Sequence, residues 1–114
     1  MGCNILLYNE NKYELQNLKK ELQNINLDSD FKFNYYKHLD SGCEMGVLAF
    51  IEEITGIDFQ DEMRIFDLQK IKLLSQFHIN DINDTELNDK NKICNIWFKW
   101  LDLGIKYNCY ILCI

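Results

Sequence analysis

Between Ser41 and Gly56 the chain encodes both ends of one helix, and that helix limits what the rest can form. Ser41 and Glu44 make a capping box. The hydroxyl serves a backbone N–H of the first turn, and the carboxylate returns to the N–H of the cap. Gly56 supplies the left-handed residue that stops the helix. Cys43, Val47, Phe50 and Ile54 fall on one side, Leu48 and Ile51 border it, and Glu52 and Glu53 lie outward. The spacing predicts a helix over 42–55 whose apolar stripe another layer must cover.

The flanking segments supply that layer. CNILLY at 3–8 and CYILCI at 109–114 are short apolar runs that read as buried strands. After the first run, Asn9 offers an N-cap, and Leu15, Leu18, Leu22 and Ile25 recur at helical spacing over about 10–25. Asp28-Ser29-Asp30 reads as a turn. Phe31, Phe33 and Tyr35 then alternate with polar neighbours and Tyr36, which suits a half-buried strand and an extended loop equally. A short strand at 62–66 precedes a helix at 68–77 burying Leu68, Ile71, Leu74 and Phe77; one continuous helix over 60–77 is the alternative. Residues 78–91 read as a polar loop. Ile93, Ile96, Trp97, Trp100 and Leu101 define a last helix, with Gly104 as its stop. The expectation is one α/β domain over 1–114, in the order β-α-(loop or β)-α-β-α-α-β, with a mainly parallel sheet of three to four strands packed with helices.

Charge narrows the partners. The chain has 18 acids, 12 bases and a formal charge of −6. Such a surface repels nucleic acid and anionic membrane and steers towards a basic protein. Seven acids (Asp40, Glu44, Glu52, Glu53, Asp58, Asp61, Glu62) lie between residues 40 and 62 with no Lys or Arg among them. A solvated face is a commoner explanation of such acidity than a binding site. Five scattered cysteines without a C-x-x-C suggest reduced, buried thiols. With no signal peptide and no apolar span of ~20 residues, the expected setting is soluble and cytoplasmic.

Enzyme chemistry finds little support. Cys43 near a helix start, with His38 five residues before it, suggests a nucleophile and base, but no third residue orients them. The segment from Asp81 to Lys92 alternates oxygen ligands like a calcium loop. Glu86 stands where the turn needs Gly, and Lys92 where a bidentate Glu closes the site. Neither a zinc pattern nor a phosphate loop occurs, so no cofactor or metal is expected.

In element order, in LKKEL at Leu18–Leu22, in Tyr35-Tyr36 before Leu39-Asp40, and in Glu44 four residues on, the chain resembles the barstar family of intracellular ribonuclease inhibitors. The resemblance spans nearly the whole chain and implies that Tyr35, Tyr36, Asp40 and Glu44 enter a ribonuclease site. Cys43 replaces the family's helix Trp, and Lys99 stands where the family places a further acid. The spacing from the tyrosine pair to Leu-Asp is one residue shorter. The expected function is a non-enzymatic immunity protein that neutralises a basic toxin, a nuclease, as a monomer in a 1:1 complex. Its toxin-binding set is Tyr35, Tyr36, Asp40, Glu44 and Glu52. Alternatives are a phage-encoded acidic inhibitor of a host nuclease, and a small enzyme using Cys43 and His38.

Overall fold

A computed structural model describes residues 5–38, 47–57, 65–79 and 88–113. In chain order these form β1 (Ile5–Tyr8), α1 (Lys12–Asn24), α2 (Phe31–Lys37), α3 (Val47–Thr55), β2 (Ile65–Phe66), α4 (Leu68–Ile79), α5 (Asn88–Lys106) and β3 (Tyr110–Cys113). Most of the described chain is helical. The sheet rests on the two outermost strands, with β2 adding two residues on the far side of β3, in the order β1-β3-β2.

Both pairings are antiparallel, with Ile5 opposite Cys113, Tyr8 opposite Tyr110 and Ile65 opposite Leu112. The expected parallel sheet is therefore corrected. Alternating strands and helices set the succession of elements, not the direction from which the last strand arrives. Here α5 ends at Lys106, Tyr107 and Asn108 turn the chain, and β3 runs back against β1. Asn108 adopts φ 55°, the left-handed region that Asn tolerates better than most residues. Ile5, Leu7, Ile111 and Cys113 point inward and are buried, as the period of two requires.

Behind the sheet lies an aromatic core on α5. Trp97 and Trp100 stack at 5.4 Å, and Phe31 meets Trp97 edge-on at 4.8 Å. Neither indole N–H is left unpaired, as burial demands. Trp97 Nε1 donates to Ser75 Oγ at 3.0 Å, and that hydroxyl donates to the Ile71 carbonyl. Trp100 Nε1 donates to the Asp28 carbonyl at 3.0 Å. Ser75 explains a second correction. The buried face of α4 is Leu68, Ile71 and Ser75, so Leu74 is half-buried and Phe77 lies 67 % exposed rather than in the core. A hydroxyl with two partners occupies a position that apolar periodicity assigns to hydrocarbon.

Helix ends also differ from expectation. Asn11, not Asn9, caps α1, accepting from the N–H groups of Tyr13 and Glu14. Asn9 instead donates its side-chain N–H to the Tyr107 carbonyl at 2.8 Å. Asn26, at φ 62°, turns the chain after α1, leaving Ile25 exposed and Leu27 buried. Gly104 lies inside α5 rather than ending it. A Cβ there would stand 2.6 Å from Leu68 Cδ1 and 2.7 Å from Leu7 Cδ2, so glycine permits the approach of α5 to β1 and α4. Gly56, by contrast, follows α3 at φ 69°, with the His78 ring above it.

The thiols divide. Cys94 and Cys109 keep theirs, whereas Cys113 is disulfide-bonded, which corrects the expectation of five reduced cysteines. Among the described residues, no helix is long and apolar enough to cross a membrane.

Candidate functional site

The segment that reads equally as strand or loop is the helix α2. Asp30 caps it, its carboxylate accepting from Lys32 N–H at 2.9 Å. Phe31, Asn34 and Tyr35 are its buried residues, the i, i+3, i+4 face of a helix rather than the alternate face of a strand. Asn34 is wholly buried, and its side-chain amide reads the backbone of Asp28 in both directions. Its N–H donates to the Asp28 carbonyl and its oxygen accepts from the Asp28 N–H, both at 2.8 Å. Trp100 donates to that same carbonyl from α5, while Leu7 N–H of β1 donates to Ser29 O at 3.0 Å. The turn before α2 is thus held by three elements at once.

This clamp decides which aromatics face out. Tyr35 turns inward, 2 % exposed, with its ring 5.7 Å from Phe50 of α3. As a toxin-contacting residue Tyr35 is corrected: its ring belongs to the core. Tyr36 is 53 % exposed and rests edge-on against Tyr35 at 5.5 Å. Phe33, one turn earlier, is also exposed, with Lys37 Nζ 5.0 Å from its ring centroid. The outward face of α2 is therefore aromatic with basic neighbours, since Lys32 and Lys37 are its charged residues.

On α3, Val47, Phe50 and Ile54 are buried as the stripe demands, Ile51 on its border is buried with them, Glu52 is half-buried and Glu53 exposed. Thr55 is buried too, donating to the Ile51 carbonyl at 2.6 Å and accepting from Ile57 N–H, which finishes the helix ahead of Gly56. Asp40, Glu44, the Ser41–Glu44 capping box and Cys43 lie outside the described residues, as do Asp58, Asp61 and Glu62. His38 closes α2, with Nε2 3.3 Å from the Asn26 carbonyl. Most of the segment likened to a calcium loop is likewise outside.

Elsewhere, α1 and α5 border a groove of about 440 Å³ lined by Glu21, Asn24, Ile25, Lys99, Asp102 and Leu103. Its two carboxylates are paired: Asp102 with Lys72 at 2.6 Å, and Glu21 with Lys106 at 2.8 Å. The hydrogen bond from Lys106 holds the Glu21 carboxyl below its ordinary range, and Glu21 raises Lys106 in return. Burial pushes the Cys109 thiol up to about 11, helped by the charge of Glu14, so it stays protonated and unreactive near neutrality. No group of three or more His, Cys, Asp or Glu among the described residues is arranged to hold a metal ion.

Sequence reading missed Asn34 and Ser75, the two buried polar residues that organise α2 and α4. Neither has a signal in periodicity, because each is recognisable only by its partner six or more residues away. Compared with protein-family models, curated proteins and solved structures, the chain has no match.

Proposed function

We propose that this protein is an inhibitor of the immunity type, binding a basic protein toxin, a ribonuclease, as one copy per toxin. The binding face is formed by α2 and the acid-rich stretch after it. One observation carries the reading. A helix anchored through the turn before it, which β1 and α5 also hold, places Tyr36 and Phe33 outward immediately before the run of acids that begins at Asp40. Rigid aromatics lose little conformational entropy on binding and make effective anchors, while carboxylates beside them select a cationic partner and speed its approach. Tyr36 is the anchor, supported from beneath by Tyr35. Asp40, Glu44 and Glu52 supply the charge that would occupy the phosphate positions of a nuclease. The same surface serves the phage-inhibitor variant, which differs in origin and not in chemistry. Cysteine-dependent catalysis is the weaker reading, because the sequence pattern puts Cys43 on the apolar side of its helix.

The test is binding to the product of the neighbouring open reading frame, which this reading expects to be a basic protein. Tyr36→Ala and the pair Asp40→Lys with Glu44→Lys should each weaken affinity tenfold or more while thermal stability holds, and raised salt should slow association. Equal affinity in the charge-reversed pair would remove those acids from the site. An on-rate indifferent to salt would remove electrostatic capture.

A further inference from the structure

α4 carries apolar residues on two opposite sides. Leu68, Ile71 and Ser75 face inward, at i, i+3 and i+7. Lys70, Leu73, Leu74 and Phe77 make a second stripe, at i, i+3, i+4 and i+7. Leu73 is 68 % exposed and Phe77 67 %, with Leu74 half-buried beside them. An amphipathic surface helix needs one such stripe, and a helix with two has a side left to cover. The outer stripe is held in place. Lys72 ties α4 to Asp102 of α5, and the Phe77 ring meets the His78 ring edge-on at 5.4 Å, with His78 itself set over Gly56.

Charge selects what covers it. In a chain of formal charge −6, α4 contains no Asp or Glu. Lys72 is neutralised by Asp102, whereas Lys70 is exposed and takes no part in the ion pairs among the described residues. We propose that a second copy of this chain covers the stripe, the two α4 helices lying antiparallel about a two-fold axis between Leu73 and Leu74. In that register Leu73 packs on the partner's Leu74, and Lys70 lies over the ring of the partner's Phe77. The stripe is self-complementary, supplying both the cation and the ring that attracts it. The same pairing already occurs within the chain, where Lys37 Nζ stands 5.0 Å from the Phe33 ring centroid. The two Lys70 ammonium groups end seven residues apart, about 10 Å along the axis and near one Debye length at 0.1 M salt, so they repel little. Two acidic bodies thus meet where neither helix presents a carboxylate. A helix of 12 residues is about 18 Å long, and two of them bury less than the ~1,200 Å² of a stable interface. The dimer is therefore weak and exchanging, with a dissociation constant of about 10–100 μM. It does not rest on the proposed toxin-binding face, with which the stripe shares no residue.

The experiment is sedimentation equilibrium of the whole chain from about 5 to 500 μM at 0.1 M salt, a range that brackets that constant. The weight-average mass should rise from one chain towards two. Phe77→Lys should raise the dissociation constant at least tenfold, and Lys70→Glu about tenfold by setting a carboxylate over each ring. Phe77 is exposed, so the melting temperature of its variant in dilute solution should stay within about 2 °C of wild type. Tyr13→Lys removes an aromatic that is 80 % exposed on α1 and adds the same charge, yet should dimerise as wild type does. Tyr36→Ala should also dimerise normally, which separates this interface from the toxin-binding face. A wild-type chain that stays monomeric throughout would overturn the proposal. So would a dimer that survives Phe77→Lys, or one that Tyr13→Lys or Tyr36→Ala abolishes equally. Loss of toxin binding in Phe77→Lys with self-association unchanged would give the stripe to the toxin instead.

Discussion

The region around α5 and the region around α2 solve the same problem, burying aromatic rings, by different means. On α5, Trp97, Trp100 and Leu101 are wholly buried at helical spacing, and the neighbouring elements conform to them. On α2, three aromatics at alternate positions part company: Phe31 and Tyr35 go in, and Phe33 stays out. What separates them is a polar clip, the Asn34 amide on the Asp28 backbone, which sets the rotation of a helix only 7 residues long. A long apolar stripe selects its own orientation by the area it hides. A short helix hides too little to do so and is oriented by hydrogen bonds that only one rotation can make.

That contrast can be broken at either end. The largest effect belongs to α5. Trp97→Ala should cost about 3–5 kcal/mol in denaturant unfolding, because it opens a cavity and leaves Ser75 with one partner fewer. A loss near 1 kcal/mol would mean that the aromatic stack is not the organising core. Next comes the clip: Asn34→Leu keeps the branched outline of the side chain but strands the Asp28 N–H, and should cost about 2–3 kcal/mol. Its distinguishing sign is loss of near-ultraviolet tyrosine ellipticity from α2 ahead of the tryptophan signal, and simultaneous loss of both would show one cooperative unit. The smallest effect is electrostatic. Glu21 is held below its ordinary value of 4.5, so the stabilisation it lends is present above that value and lost as pH falls through the lower, folded one. Lys106 is exposed and Glu21 only half-buried, so solvent screens the pair and only a small shift is expected. Between pH 7 and pH 3 the melting temperature of Lys106→Met should fall slightly less than that of wild type.

Much of the arrangement was legible along the chain. The apolar runs at both ends formed strands, the α1 stripe at Leu18 and Leu22 went inward, and Phe50 and Ile54 marked the buried side of α3. The acid run was legible as composition, but only Glu52 and Glu53 of it fall on described structure. The tyrosine pair was legible as a feature and misread in detail. Adjacent residues on a helix diverge by about 100°, so Tyr35 and Tyr36 cannot both serve one surface equally.

The sequence by itself determined which runs and stripes are apolar enough to require cover, because that depends on neighbours within a turn or two. Tertiary structure decided the rest. It set the antiparallel direction of β3, the place of Gly104 inside a helix against Leu7 and Leu68, and the burial of Asn34 and Ser75. Each of these depends on a group distant along the chain, and a pattern of local periods carries no information about which distant group arrives.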